Sequence, residues 1–228
     1  ESLAELLKKN RIRNKLTFSH IAEDMRPFLW HGMRVEPQFT YHIGLDGWRN
    51  SIDPSALNRA RKARSLGYTC EVSSAYGDVC ECLKSAEERK QFKHLVSAEE
   101  LKNLAQQMEE NLICFLVRDA DGAIKGASIC LYTDGHVMDW SAAVKTEALQ
   151  EGANNILVEF LLDYFNQKGC RTFDFVGANI PPVARMKEFW GGELITYYSI
   201  RQIGFREIAR TTYHVAKALF PHKRAGQR

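Results

Sequence analysis

The chain has 228 residues, 45% hydrophobic and 26% charged, with a formal net charge of only +3. This is the balance of a soluble globular chain, long enough for one full core and most of a second. No apolar run approaches the roughly 20 residues of a membrane span, so no span is expected.

Glu1 to Asn10 are charged, with no signal-peptide pattern and no initiator Met. The expectation is a cytoplasmic protein, read from a fragment or a processed chain. Charge is uneven: residues 1–75 carry 12 Lys/Arg against 8 Asp/Glu, 76–200 carry 12 against 19, and 201–228 carry 7 against 1. Two basic ends thus flank an acidic centre, and each basic helix reads either as a solvated face or as a phosphate or RNA contact. Cysteines stand at 70, 80, 82, 114, 130 and 170 without a Cys-x-x-Cys pair. Reduced core thiols are expected, and no metal site is predicted from them or from the spacing of the seven histidines.

In chain order, Ser2–Lys9 reads as a short helix, Lys15–His20 as a strand, the stretch around Pro27 as a loop, and Phe39–Leu45 as a strand. Asp53-Pro54 opens a helix that runs to Leu66 and is stopped by Gly67. Tyr68–Ser73 follows as a strand. Gly77–Phe92 and Ala98–Glu110 read as amphipathic helices, the second begun by a Ser97/Glu100 capping box. Leu112–Arg118, Ile124–Tyr132 and Val137–Val144 are strands joined by turns at Asp121-Gly122 and Asp134-Gly135, an antiparallel meander. Gly152 precedes an apolar helix, Asn154–Gln167, that ends at Lys168-Gly169. Thr172–Val176 is a strand, Pro181 to Trp190 a helix broken by Gly191-Gly192, and Leu194–Ile200 a last strand. Phe205–Leu219 reads as a basic amphipathic helix.

A meander followed by a strand–helix–strand crossover predicts an α/β fold with a mixed sheet and helices on both faces. That element order resembles the GNAT acyltransferases. Two stretches resemble the Fem-like peptidyl and acyl transferases, which carry two GNAT domains in tandem. The first is the Arg-rich helix from Asn58 to Gly67, with Arg61, Lys62 and Ala63 in place. The second is Gly169-Cys-Arg-Thr-Phe-Asp-Phe-Val-Gly177, followed by Met186-Lys187-Glu-Phe-Trp190-Gly191-Gly192-Glu193. The resemblance implies three parts: a remnant of a first GNAT-like domain in 1–50, a complete GNAT-like domain in 51–203, and a basic helix and tail in 204–228.

Acyl transfer to an amine needs a neutral amine, stabilisation of a developing oxyanion and an exit for a proton. The resemblance places Lys187 near the reacting carbonyl; a snorkelling surface lysine is the plain alternative. Asp174, the one charge in an apolar strand, either pairs structurally or faces the cleft. Asn179 reads as an acceptor contact or a turn residue, and Trp140 as a channel wall or a core tryptophan. Tyr197, alternating with Tyr198, reads as a general acid or as packing. The resemblance also implies that Arg61 and Lys62 bind substrate phosphates. Acyl-coenzyme A enzymes cradle a pyrophosphate on a glycine loop at a helix N-terminus. Here Gly152 and Asn154 occupy that loop, but Leu149, Asn154 and Glu151 depart from the usual pattern.

The expected function is therefore acyl transfer to an amine, with no tightly bound cofactor. The donor is aminoacyl-tRNA, as in bacterial cell-wall peptide branching, with an acyl-coenzyme A N-acetyltransferase acting on a sugar or small amine as the alternative. The acceptor is a small molecule or a peptidoglycan-precursor amine. A third reading, from another class, is a non-catalytic interaction module that keeps the fold.

Overall fold

The computed structural model of the protein describes residues 2–10, 15–85 and 96–202. One compact unit is made by the described ends of the chain, up to Gln38 and from Thr196, and a second by Phe39–Ile195. In the first unit, helix α1 (Leu3–Lys9) is opened by a capping box between Ser2 and Glu5. Strand β1 is only Leu16–Thr17, shorter than the predicted Lys15–His20. The stretch around Pro27, expected as a loop, is helix α2 (Arg26–Trp30), because a proline in the first turn has its φ preset and needs no donor. Strand β2 (Met33–Gly44) and the last strand, β8 (Glu193–Gln202), each run from one unit into the other, and β1 pairs antiparallel with β8. Ala4, Leu7, Met25, Phe28, Met33 and Ile200 form this unit's apolar cluster.

In the second unit, Asp53 caps helix α3 (Pro54–Ser65), its carboxylate accepting the Ser55 N–H at 2.8 Å. Strand β3 is Thr69–Val72, helix α4 is Tyr76–Lys84, and helix α5 is Ala98–Met108, opened by the Ser97/Glu100 capping box. The predicted extension of α4 to Phe92 and the helix Phe205–Leu219 lie outside the described residues. Strands β4 (Leu112–Arg118), β5 (Ile124–Thr133) and β6 (His136–Val144) make the meander. The β5–β6 turn has positive φ at both Asp134 (50°) and Gly135 (80°), as a primed hairpin turn requires. Helix α6 (Thr146–Leu149), helix α7 (Ala153–Gln167), strand β7 (Thr172–Asp174) and helix α8 (Pro181–Glu188) follow.

The strands of this unit lie in the order β2-β7-β6-β5-β4-β3. β6 and β7 pair in parallel, since α7 carries the chain back between them, and the β2–β7, β3–β4, β4–β5 and β5–β6 pairings are antiparallel. The α3/α7 side buries Phe115, Leu157, Phe165, Phe173 and Phe175, and the α4/α5 side buries Leu101, Leu116, Ala127 and Ile129. Each buried Leu, Ile or Phe among them contributes about 1.5–3 kcal/mol.

Helix α3 docks on the start of α7 through close backbone contact. Gly152 caps α7 with φ 90°, and a methyl group built there would overlap the Arg59 carbonyl. Glu159, buried on α7, accepts from Arg49 (3.0 Å) and Arg64 (2.8 Å), and so ties α3 down. Gly191 makes the same kind of approach to the Ser51 carbonyl, next to the Asp53 N–H that donates to Phe189. Gly152→Ala should therefore lower unfolding free energy by about 2–4 kcal/mol, from overpacking plus the cost of positive φ. Denaturant titration checks this, and an unchanged midpoint would mean that α3 does not need this approach.

Candidate active site

The site grows from the end of β7. The predicted strand reached Val176, but β7 stops at Asp174 because Val176 has φ 48° and Gly177 has φ 86°. A β-branched residue in that region is strained, by of order 1–3 kcal/mol, and persists only when its surroundings hold it. Two of the residues singled out in the sequence do so. The Asp174 carboxylate accepts the Val176 N–H (2.8 Å) and the Thr40 hydroxyl (2.5 Å) through one oxygen. Lys187, on α8 and only 7% exposed, donates to the carbonyls of Phe175 (2.7 Å), Val176 (3.3 Å) and Gly177 (2.6 Å).

Lys187 is thus neither a snorkelling surface side chain nor a cation aimed at an open cleft. Its ammonium donates to three successive carbonyls and so holds the backbone of the turn. Burial alone would raise the pKa of Asp174. The His42 ring, the Thr40 hydroxyl and the Val176 N–H outweigh it and hold the carboxyl below its ordinary range, so the group is an anion.

β6 and β7 pair only through His136–Met138 and Thr172–Asp174. Beyond Met138 they part, and a register shift in the β5–β6 pairing leaves Trp140 as a bulge residue. Trp140 is 36% exposed and Met138 37%, so Trp140 is not a core tryptophan but a side chain at this opening. Asn179, exposed, accepts the Phe39 N–H through its side chain (3.0 Å) next to the Ala178 N–H bond to Phe39. It extends the ladder to β2 by one rung. Tyr197 belongs to the other compact unit and is half-buried there.

On the α7 side, the loop expected to cradle a pyrophosphate is closed by α3. Gly152 is buried against Arg59, the N–H groups of Glu151 and Gly152 bond to Ala148 and Leu149, and Lys62 donates to the Gln150 carbonyl (3.0 Å). The Tyr68 hydroxyl bonds Glu151, and burial together with that carboxylate drives the phenol pKa up. Asn154 turns to the Met186 sulfur (3.3 Å), and Arg61 stays exposed, bonded to Asn58 (2.7 Å). Beside this closed loop lies a cleft of about 190 Å³ between α3, α7 and α8, lined by Ser55, Arg59, Asn155, Arg185, Met186 and Phe189 among others. Neither Arg59 nor Arg185 was legible as a site residue, because the helices that bring them together are far apart in sequence.

Two further residues were missed for the same reason. His42 pairs across from Asp174 in the β2–β7 register, with Nε2 3.4 Å from the second carboxylate oxygen. His136, on β6, sets its ring 5.4 Å from that of His42. Histidine spacing along the chain carried no signal of this cluster. All six cysteines are free, and burial pushes Cys70 and Cys114 up to about 12 and Cys130 well above its ordinary value. None of these three is a thiolate nucleophile near neutral pH.

A meander, a parallel crossover and an opening between the parallel strands define an acyltransferase of the GNAT fold. Residues 55–184, more than half of the chain, match the acetyltransferase (GNAT) domain family, and the chain belongs to it. No curated protein matches the chain. Among solved structures, FemX is similar with a TM-score of 0.62 at 13% identity, over 92% of this chain and 78% of that one. L-PGS from Bacillus licheniformis gives 0.64 at 14% identity, over 93% and 74%. A GCN5-related N-acetyltransferase from Sphaerobacter thermophilus gives 0.51 at 18% identity, over 82% and 58%. At these identities the likeness is one of fold. No helix among the described residues is long and apolar enough to cross a membrane.

Lys187→Met should lower stability by about 2–4 kcal/mol, since three buried carbonyls lose a charged donor, and should lower turnover at least tenfold with the loss of the turn. Paired denaturant and transfer measurements test this. Full stability would remove Lys187 from the turn, and full turnover would remove the turn from catalysis. Trp140→Ala, at an exposed site, should change stability by less than about 1 kcal/mol while raising the acceptor KM. An unchanged KM would take Trp140 away from the acceptor.

Proposed function

We propose that the chain is a Fem-like transferase that moves an aminoacyl group from charged tRNA to an amine, of the cell-wall peptide type. The acceptor in this reading is a peptidoglycan-precursor amine, which would place the protein in a bacterial cytoplasm. The observation that carries it is the packing of α3 over the loop at Gly152. A coenzyme A pyrophosphate needs that loop's N–H groups turned outward, and here a helix backbone takes the space at Gly152 while the Glu151 and Gly152 N–H groups bond inward. The neighbouring cleft, at about 190 Å³, is also smaller than the roughly 300–1,000 Å³ of whole-cofactor pockets. It suits a phosphate and part of a nucleotide, with Arg59 and Arg185 as the phosphate contacts. Asp174 and Lys187 position the 174–177 turn, and Trp140 stands on the acceptor side.

The family description favours one other reading, an acyl-coenzyme A N-acetyltransferase acting on a sugar or small amine. Calorimetric titration separates the two. Aminoacyl-tRNA should bind saturably, with an affinity that falls steeply with salt and weakens in Arg59→Ala/Arg185→Ala, while acetyl-coenzyme A should give no saturable heat. Saturable acetyl-coenzyme A binding without tRNA binding would transfer the assignment to the acetyl donor.

A further inference from the structure

We infer that His42, His136 and Asp174 form a site for a divalent transition metal of the zinc class. This goes beyond the donor assignment and does not depend on it. One ligand atom from each of the three side chains lies within 4.8 Å of the other two, and all three residues are half-buried. They come from three neighbouring strands: His42 is registered opposite Asp174 across β2–β7, and Met138, two residues beyond His136, is registered opposite Asp174 across β6–β7. Strand periodicity sets Asp174 on the opposite sheet face from the buried Phe173 and Phe175, and His136 opposite from the buried Val137. The ligands therefore share one face, on rigid elements.

One spacing in the cluster is already that of a metal site. His42 Nε2 and Asp174 Oδ2 stand 3.4 Å apart, at the long end for an N–H···O bond. Zinc bonds of about 2.0–2.2 Å put neighbouring ligands of a tetrahedron roughly 3.4 Å apart. Asp174 is also prepared for the role. Its other oxygen is held by Thr40 and the Val176 N–H, the outer-shell support that fixes a ligating carboxylate. Two imidazoles and a carboxylate are hard-to-borderline ligands that suit zinc, cobalt or iron rather than calcium. Three protein ligands leave a fourth tetrahedral position for water or a substrate donor atom, as in open zinc sites.

The test uses the full chain, stripped with EDTA and titrated with Zn²⁺ by calorimetry and with Co²⁺ by visible spectroscopy. One equivalent should bind, with Co²⁺ giving tetrahedral d–d bands and no sulfur-to-cobalt charge-transfer band, which excludes the thiols. His136→Ala and His42→Ala should each weaken binding at least about tenfold while keeping the far-UV spectrum of the folded protein. Asp174 also supports the 174–177 turn, so the two histidine variants decide the matter. His31→Ala, at a histidine outside the cluster, should bind as the unaltered protein does. No stoichiometric uptake, a thiolate band, or unchanged affinity in both histidine variants would overturn the site and leave a hydrogen-bonded His–Asp–His cluster.

Discussion

The ammonium of Lys187, buried against three consecutive backbone carbonyls, is the contact on which the site depends. Carbonyls of successive residues do not normally point at one place. They do so here because Val176 and Gly177 take positive φ and fold the strand end into a tight curl. Without a cation the three dipoles would repel one another inside low-dielectric surroundings. With it, the strained Val176 conformation becomes the stable one, and Asp174 locks the other side of the same curl by accepting the Val176 N–H. A lysine and an aspartate of opposite charge thus fix one turn from its two sides.

That turn decides what happens on both faces of the sheet. It ends β7 at Asp174, so β6 runs on past Met138 without its parallel neighbour, and the opening beside Trp140 results. On the face away from Phe173 and Phe175, the Asp174 carboxylate gathers Thr40, His42 and His136. On the α7 side, the cleft between Arg59 and Arg185 lies next to the helix that carries Lys187. The two faces therefore meet at four residues of backbone, from Asp174 to Gly177.

Helix α3 is the second constraint. Its basic residues have different partners. Lys62 donates to the Gln150 carbonyl and Arg64 to Glu159, while Arg59 lines the cleft and Arg61 bonds Asn58. The single positive-φ glycine at 152 lets the helix approach closely enough to close the loop. One sequence feature, a glycine before an apolar helix, is thus compatible with an open phosphate cradle and with a sealed helix junction. The choice between them is made by a helix nearly ninety residues upstream.

Local chemistry determined the meander, its Asp-Gly turns, the capping box at Ser97, the helix opened by Asp53-Pro54, and the mixed α/β order, because each is set by neighbours within a few residues. Motif resemblance also marked Asp174 and Lys187 as special. Their partners could not be read from the chain. The carbonyls that hold Lys187 depend on a backbone excursion at Val176 that no propensity favours, and Trp140 became exposed only because β6 outruns β7. His42, His136 and Asp174 meet through strand register, and Arg59 and Arg185 through helix packing. Both bring together residues with no periodic relation in sequence, so spacing could not report them and only the assembled sheet could.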